Sequence, residues 1–316
     1  MRIKSASKSA LETYSECEYK YFLNYECKIT SPSGKSALIG NIVHKVMELL
    51  AVRKKLKKHK KISKLNSANF LLPIVYKSYT EKNSDIEWAN ADYNTCRKNI
   101  EWLLNNGFHP FDQDVISAEQ NFEMEINKKG FKIGNEYFKI KGIIDLCIQE
   151  DNGETLHIID YKTGKYVSDW ATGETKTDFT KDLQLRMYYL AVQKLYPKYK
   201  KYKFSVVYSA LGQVCEAIID KKSEPNILES LRRYFVEINN NQVPLRLKDD
   251  PNRRALAWRC KKLCYYGVSG KCDSSHQIFK TSGYEKSIAL INPTINSQPI
   301  KTRAGFKNLG GYFDEQ

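Results

Sequence analysis

Hydrophobic and polar positions follow a helical period along the N-terminal part of the chain and a strand-like alternation beyond it. Over 7–25, Leu11, Tyr14, Tyr21, Phe22 and Tyr25 recur near helical spacing, and Ser7 is placed to cap the first turn. A Ser31-Pro32-Ser33-Gly34 break follows. Residues 38–52 predict a second helix, with Ile42, Val46, Leu49 and Leu50 on one side and His44 one turn before Glu48. Residues 67–105 predict further helix, carrying Trp88 and Trp102 and ended by Gly107-Phe108-His109-Pro110. The pattern then changes. Residues 115–126 alternate loosely, as a strand does, and 130–140 contain a Gly134-Asn135 turn. Two apolar runs, 140–149 and 155–161, flank Asp151-Asn152-Gly153 and read as a hairpin. Helical spacing returns over 180–196. A strand pair follows at 203–211 and 214–220, then a helix over 223–241. After Cys272 no period is clear. No internal repeat is visible. This order predicts a mixed α/β core carrying a helical N-terminal layer.

Charge adds a partner to this picture. The 316 residues carry a formal net charge of +15, which points to a polyanion, either nucleic acid or an anionic membrane surface. No run of about 18 apolar residues occurs, which argues against a membrane span. The basic, Ser-rich opening could be read as a transit peptide, but no apolar signal core follows it; the cysteine usage favours a reducing compartment, and an intracellular location is expected. Heavy use of Lys and Asn suggests an AT-rich genome, bacterial or viral. The densest basic run, 53–61, is either a solvated helix end or a phosphate-contacting patch. A second, 194–203, interleaves lysines with Tyr196, Tyr199 and Tyr202 and reads either as a helix-to-strand connection or as a base-stacking surface. Arg253, Arg254, Arg259, Lys261 and Lys262 form a third. No base-reading motif is visible, so sequence-tolerant binding is expected.

The candidate chemistry sits inside the central apolar runs. Asp145 ends Gly142-Ile143-Ile144-Asp145, and Asp160 and Lys162 close Leu156-His157-Ile158-Ile159-Asp160-Tyr161-Lys162. Asp160 and Lys162 are two apart, so both leave one face of a strand, and Asp145 can reach that face from the neighbouring strand. Unpaired buried charges are costly. Two carboxylates and a lysine become stable together when a divalent cation and water join them, and Mg²⁺ takes carboxylate oxygens, water and substrate phosphate. Tyr161 points to the other face, where its side chain is expected to pack in the core.

Further motifs accompany these residues. Gly40-Asn41-Ile42-Val43-His44, Glu119 within Ser117-Ala118-Glu119-Gln120, and Gln184-Leu185-Arg186-Met187-Tyr188 stand in order around Gly142–Asp145 and Asp160-Tyr161-Lys162-Thr163-Gly164. Together, over about residues 5–272, they resemble the PD-(D/E)XK nucleases of the RecB-like exonuclease branch. Asn41 departs from a Gly frequent in that motif. The resemblance implies an α/β restriction-endonuclease-like core, a central mixed sheet flanked by helices, with a helical N-terminal layer. It implies a nuclease domain at 1–275, with a helical insertion at about 50–110, and a tail at 276–316. It implies that His44, Asp145, Asp160 and the Tyr161 carbonyl ligate Mg²⁺ or Mn²⁺, and that Lys162 is catalytic. Gln184 and Tyr188 would line the site and position DNA or Lys162, with Glu119 a supporting acid. The implied activity is DNA hydrolysis, as an exonuclease acting on single-stranded DNA or duplex ends, in replication, recombination or repair. The alternative is a non-catalytic DNA-binding subunit.

Eight cysteines in a Lys-rich chain of this length do not suggest a secreted disulfide scaffold. Cys260, Cys264 and Cys272 cluster, as metal ligands do. In the iron–sulfur members of the branch, which include CRISPR-associated exonucleases, an N-terminal cysteine joins three C-terminal ones around a 4Fe–4S cluster. By that resemblance Cys17, Cys260, Cys264 and Cys272 are the ligands here. The middle spacing, C-x3-C, and Glu18 after Cys17 both depart from that pattern. Zn²⁺ held by Cys260, Cys264, Cys272 and His276, in an RNA-binding module, is the rival reading. Cys27, Cys96, Cys147 and Cys215 are expected to be small buried hydrophobes.

Overall fold

The computed structural model describes residues 3–55, 63–111, 113–164 and 178–294. The side chains of the basic run at 53–61 and the residues from 295 onward lie outside that description. The chain forms two compact units, Met1–Cys17 with Pro32–Asn241, and Glu18–Ser31 with Gln242–Gln316.

The larger unit is a mixed sheet flanked by helices. Its elements are β1 (Ser5–Ala6), α1 (Lys8–Glu16), α3 (Lys35–Lys55), α4 (Lys64–Lys82), α5 (Asn90–Asn105), β2 (Asp114–Glu125), a small hairpin of β3 (Lys132–Ile133) and β4 (Glu136–Tyr137), β5 (Lys139–Glu150), β6 (Thr155–Lys162), α6 (Leu183–Leu195), β7 (Lys201–Tyr208), β8 (Gln213–Ile218) and α7 (Glu224–Asn240). β5 is the hub. It pairs antiparallel with β2 and β6 and parallel with β1, and the sheet continues through a parallel β6–β7 pair to an antiparallel β8. A strand with a parallel neighbour is covered on both faces and reads as a nearly unbroken apolar run. β6 fits this: every residue from Thr155 to Tyr161 is buried. Its one long buried imidazole, His157, is satisfied by Glu150 Oε1 and Ser205 Oγ, each at 2.7 Å.

The helical layer departs from the sequence pattern in one respect. The stretch 67–105 is two helices. Asn83 caps α4 by donating Nδ2 to Tyr79 O (2.8 Å), and Trp88 Nε1 donates to Asn83 O (3.1 Å). The Asp92 carboxylate then accepts the Ala89 N–H (2.8 Å) to start α5. Such polar side chains compete with the helical backbone and favour caps, while the apolar period on either side hides the break.

In the smaller unit, α2 (Glu18–Tyr21) and the π-helical turn Phe22–Glu26 pack with α8 (Trp258–Lys262), α9 (Tyr265–Val268) and α10 (Lys271–Ile291). The predicted helix over 7–25 is therefore broken: Cys17 ends α1 in an extended conformation. The core of the smaller unit is aromatic. Phe22 lies 5.5 Å from Phe279 and 5.2 Å from Tyr284, and Tyr19 stands edge-on to Phe279 at 6.1 Å. Backbone acceptors join segments far apart in sequence: Tyr19 N donates to Leu245 O (3.1 Å) and Asn292 Nδ2 to Cys27 O (2.8 Å). α10 passes through residue 275 and is kinked at Gly283 (φ +71°). The kink turns the second half of the helix, so no single apolar period runs its length.

Candidate active site

The site forms where β5 and β6 part. Their pairing runs from Glu150 and Thr155 to Leu146 and Ile159. At the next position a side chain replaces the ladder: Asp145 Oδ2 accepts the Tyr161 N–H at 2.7 Å. Both carboxylates are buried there, Asp160 with 1% exposure and Asp145 with 8%.

Around Asp160 the polar groups interlock. Lys162 Nζ lies 2.5 Å from Asp160 Oδ2 and donates to Gln184 Oε1 at 3.0 Å. Gln184 Nε2 donates to Asp160 Oδ1 and to the Tyr188 hydroxyl, both at 2.6 Å. The Tyr188 hydroxyl in turn donates to Ile143 O at 2.6 Å. Gln184 is placed by the first turn of α6, where the Asp182 carboxylate caps the Gln184 and Leu185 amides at 2.9 and 3.2 Å. Tyr188, one turn later, lies on the same helix face. The lysine backbone is fixed as well. Ser209 N donates to Lys162 O (3.0 Å), and Ser209 Oγ donates to Asn99 Oδ1 (2.6 Å), a buried polar pair that the sequence did not single out.

His44 enters from α3, which lies against β2 and β5. Its Nε2 is 2.9 Å from Tyr161 O, and its Nδ1 is 3.2 Å from Asp145 Oδ1 and 3.7 Å from Glu119 Oε1. The Tyr161 side chain leaves the other side of β6, as alternation requires. Its ring meets the His44 ring edge-on at 5.9 Å, and its hydroxyl donates to Phe108 O at 3.2 Å. Two glycines of the sequence motifs mark close approaches. A Cβ on Gly40 would lie 3.0 Å from Thr163 Oγ1, so α3 meets the end of β6 there. A Cβ on Gly142 would lie 2.8 Å from the Phe122 ring, which itself stands edge-on to Tyr188 at 6.1 Å. Gly142→Val is expected to cost about 1–3 kcal/mol through overpacking, read as a lower denaturant midpoint. An unchanged midpoint would mean that Phe122 is not confined.

Glu119 reaches the site through strain. β2 shifts register between Val115 and Ser117, and Glu119 has φ +47°, a left-handed conformation inside a strand. For a non-glycine residue that costs roughly 1–2 kcal/mol, and such outliers collect at functional sites. Glycine in a strand is ordinarily about 0.5–1 kcal/mol worse than alanine. At position 119 the order should reverse, with Glu119→Gly unfolding at higher denaturant than Glu119→Ala. The ordinary order would show that the backbone is relaxed there.

The electrostatics follow from burial and close charges. Burial alone would lower the His44 pKa, but the Asp145 and Glu119 carboxylates push it up to about 10. Burial raises Asp160, only partly opposed by Lys162. Burial also acts to raise Asp145, yet His44, Lys162 and the Tyr161 N–H bring it below the usual carboxylate range. Lys162 is desolvated, but Asp160 and Asp145 raise its pKa, so it is held as a cation. Two buried carboxylates, Asp145 and Asp160, and the half-buried Glu119 thus face the half-buried His44 and Lys162.

The donor set fits a hard divalent cation. The ligand atoms of His44, Glu119 and Asp145 all lie within 4.8 Å of one another, the one such triad among the described residues. Asp160 Oδ2 is buried and has no well-directed hydrogen bond, although Lys162 Nζ is close. Carboxylate oxygens with one imidazole suit Mg²⁺ or Mn²⁺. Of the residues expected as ligands, His44, Asp145 and the Tyr161 carbonyl come together; Asp160 lies beside them, held by Lys162 and Gln184.

The other expectations divide. Tyr199 and Tyr202 are buried, and the tyrosines of 194–203 serve as anchors rather than stacking surfaces. Tyr199 donates to Gln149 Oε1 (2.9 Å), Tyr202 to Tyr196 O (3.1 Å) and Tyr196 to Ser117 Oγ (3.0 Å). Lys194, Lys198, Lys200 and Lys201 remain exposed. None of the eight cysteines forms a disulfide; Cys27, Cys96 and Cys147 are buried as expected, whereas Cys215 on β8 is only half-buried. Cys17 follows α1 in the larger unit. Cys260 lies in α8, Cys264 precedes α9, and Cys272 is in the first turn of α10. His276 is packed between rings, edge-on to Tyr19 at 5.2 Å and parallel to Phe279 at 6.2 Å. No helix among the described residues is long and apolar enough to cross a membrane.

The chain is similar to known proteins. The model of the PD-(D/E)XK nuclease superfamily matches residues 5–267. One subunit of the ATP-dependent helicase/deoxyribonuclease of Carboxydothermus hydrogenoformans is 31% identical over 184 residues, covering 51% of this chain. The match spans only 16% of that much longer protein. A solved structure from Eubacterium rectale, named as a candidate exonuclease, aligns over 80% of this chain and 88% of its own, with TM-score 0.49 and 12% identity.

Proposed function

Because this chain belongs to the PD-(D/E)XK nuclease superfamily, we propose that it is a divalent-metal-dependent deoxyribonuclease that hydrolyses phosphodiester bonds from DNA ends, inside the cell, in replication, recombination or repair. The observation that carries this reading is the joining of two sets at one strand opening. His44, Glu119 and Asp145 form one; Asp160, Lys162 and Gln184 form the other. DNA as substrate is supported by the net charge of +15 and by the helicase/deoxyribonuclease that the chain resembles in part.

In this reading His44, Glu119, Asp145, Asp160 and the Tyr161 carbonyl hold Mg²⁺ or Mn²⁺. When bound, such an ion polarises the scissile phosphate and lowers the pKa of a water. The chain's own groups do the rest. Lys162 places a fixed positive charge beside the reacting phosphate, where negative charge grows, and orients the attacking water. Gln184 holds Lys162 against Asp160, and Tyr188 holds Gln184. The buried setting strengthens each of these interactions by excluding water. Acting from ends is tested with end-labelled linear DNA and closed circular DNA under Mg²⁺ or Mn²⁺. Degradation of the linear form alone supports an exonuclease; cutting of both identifies an endonuclease. Binding without hydrolysis under either ion would favour a non-catalytic DNA-binding subunit.

A 4Fe–4S cluster on Cys17, Cys260, Cys264 and Cys272 is part of the proposal, supported by the sequence motif and by four cysteines that form no disulfide. His276 packs against rings, but its Nδ1 is buried without a hydrogen-bond partner, so zinc on Cys260, Cys264, Cys272 and His276 is the reading that metal analysis must separate from iron. Protein purified without oxygen should be brown, with a broad band near roughly 400 nm that Cys264→Ala removes. Colourless protein containing zinc would overturn this part.

A further inference from the structure

Residues 251–272 contain Arg253, Arg254, Arg259, Lys261, Lys262 and Lys271 and neither Asp nor Glu. Two of the acids that flank this segment pair with cations outside it. Asp273 is paired with Lys248 and, at 2.8 Å, with Arg246, which also holds Asp249. Arg254, Lys261, Lys262 and Lys271 are exposed. A run of exposed like charge repels itself and attracts a polyanion. Cations alone would suit any anionic partner, but aromatic surface is set among these. Trp258 is 49% exposed, with the Arg259 guanidinium 5.9 Å from its ring centroid. Tyr265 is half-exposed, with Lys271 Nζ 4.9 Å from its ring centroid. Leu263 and Val268, at 54% and 62% exposure, extend the apolar area.

We propose that residues 251–272 form a binding surface for single-stranded DNA, in which Trp258 stacks on a base while Arg254, Lys261 and Lys262 meet phosphates. The surface deepens the nuclease reading and rests on it for the choice of DNA. The strand form comes from the surface itself. A single strand offers phosphates and unpaired base faces together, whereas a duplex buries its base faces. Every base has such a face, so the binding is sequence-tolerant.

The test measures binding of a fluorescent oligothymidylate to the whole protein by anisotropy, in EDTA so that nothing is cut. Trp258→Leu should weaken binding about 5- to 150-fold, the worth of one base stack. Trp258→Phe, which keeps a ring, should recover most of that loss. The Lys261→Ala/Lys262→Ala double variant should reduce the slope of log affinity against log salt by about 1.4, at about 0.7 per phosphate contact. Blunt duplex should bind more weakly than the single strand, and its binding should not distinguish Leu from Phe at 258. The proposal is overturned if wild type does not bind the oligonucleotide, if Trp258→Leu binds as wild type does, or if the slope is unchanged. It is equally overturned if polyglutamate competes as well as DNA, which would mark a docking site for an acidic protein. Protein that binds through Trp258 yet never cuts DNA would sink the nuclease reading and leave this surface standing. Protein that cuts but binds normally after Trp258→Leu would do the reverse.

Discussion

Asp160→Ala is expected to reduce DNA cleavage by about 10³-fold or more, an effect at least as large as losing one donor from a preorganised site. Asp160 is the most connected group in the centre: Lys162, Gln184 and Tyr188 all meet its carboxylate. Removing it deletes one proposed oxygen ligand and frees Lys162 and Gln184 to move. A second cost falls on stability. Breaking one partner of a buried ion pair costs about 3–5 kcal/mol when the other charge is stranded. The Lys162 side chain is 32% exposed and can turn toward water, so the loss should be smaller, about 1–3 kcal/mol. Asp160→Asn keeps the shape and separates the two effects. It deletes the charge without opening a cavity, so it should lose no more stability than Asp160→Ala in denaturant titrations and still fail to cleave in single-turnover assays. Cleavage by Asp160→Asn at the wild-type rate would remove Asp160 from the chemistry.

Lys162→Met is expected to lower the single-turnover rate by about 10²- to 10⁴-fold while Mn²⁺ binding persists. Methionine matches the length of the lysine stem and removes the charge together with the hydrogen bond to Gln184. Asp145 and Asp160 lose a neighbouring cation, so their attraction for a divalent ion should hold or rise. Arginine should not rescue, because a planar guanidinium cannot take the place of a compact ammonium between Asp160 and Gln184. Equal loss of Mn²⁺ affinity and of cleavage would mean that Lys162 organises the ligands instead of acting on the phosphate.

The strands that carry this centre were legible because alternation is a strict rule. Asp160 and Lys162 had to share a face, Tyr161 had to oppose them, and Gln184 and Tyr188, four apart on a helix, had to align. The core sheet was legible for the same reason, from apolar runs and the Asp151-Asn152-Gly153 turn. What escaped depends on contacts between distant residues. Asn99 and Ser209 are unremarkable polar residues until the fold brings them behind the Lys162 backbone. The left-handed backbone of Glu119 and the register shift earlier in β2 are announced by no local pattern. The tyrosines of 194–203 looked exposed because lysines surround them, yet each hydroxyl has an internal acceptor. The two-residue β1 is too short to carry a period, and α10 lost its period to the kink at Gly283.

The most direct measurement is single-turnover cleavage of end-labelled linear DNA by metal-stripped protein, before and after Mn²⁺ is added, with Asp160→Ala run in parallel. Wild type should cut only once Mn²⁺ is present and stop when a chelator is added, and the variant should leave the DNA intact. DNA left whole by wild type in Mn²⁺, or cut equally by Asp160→Ala, would contradict a metal-dependent nuclease centre at the opening between β5 and β6.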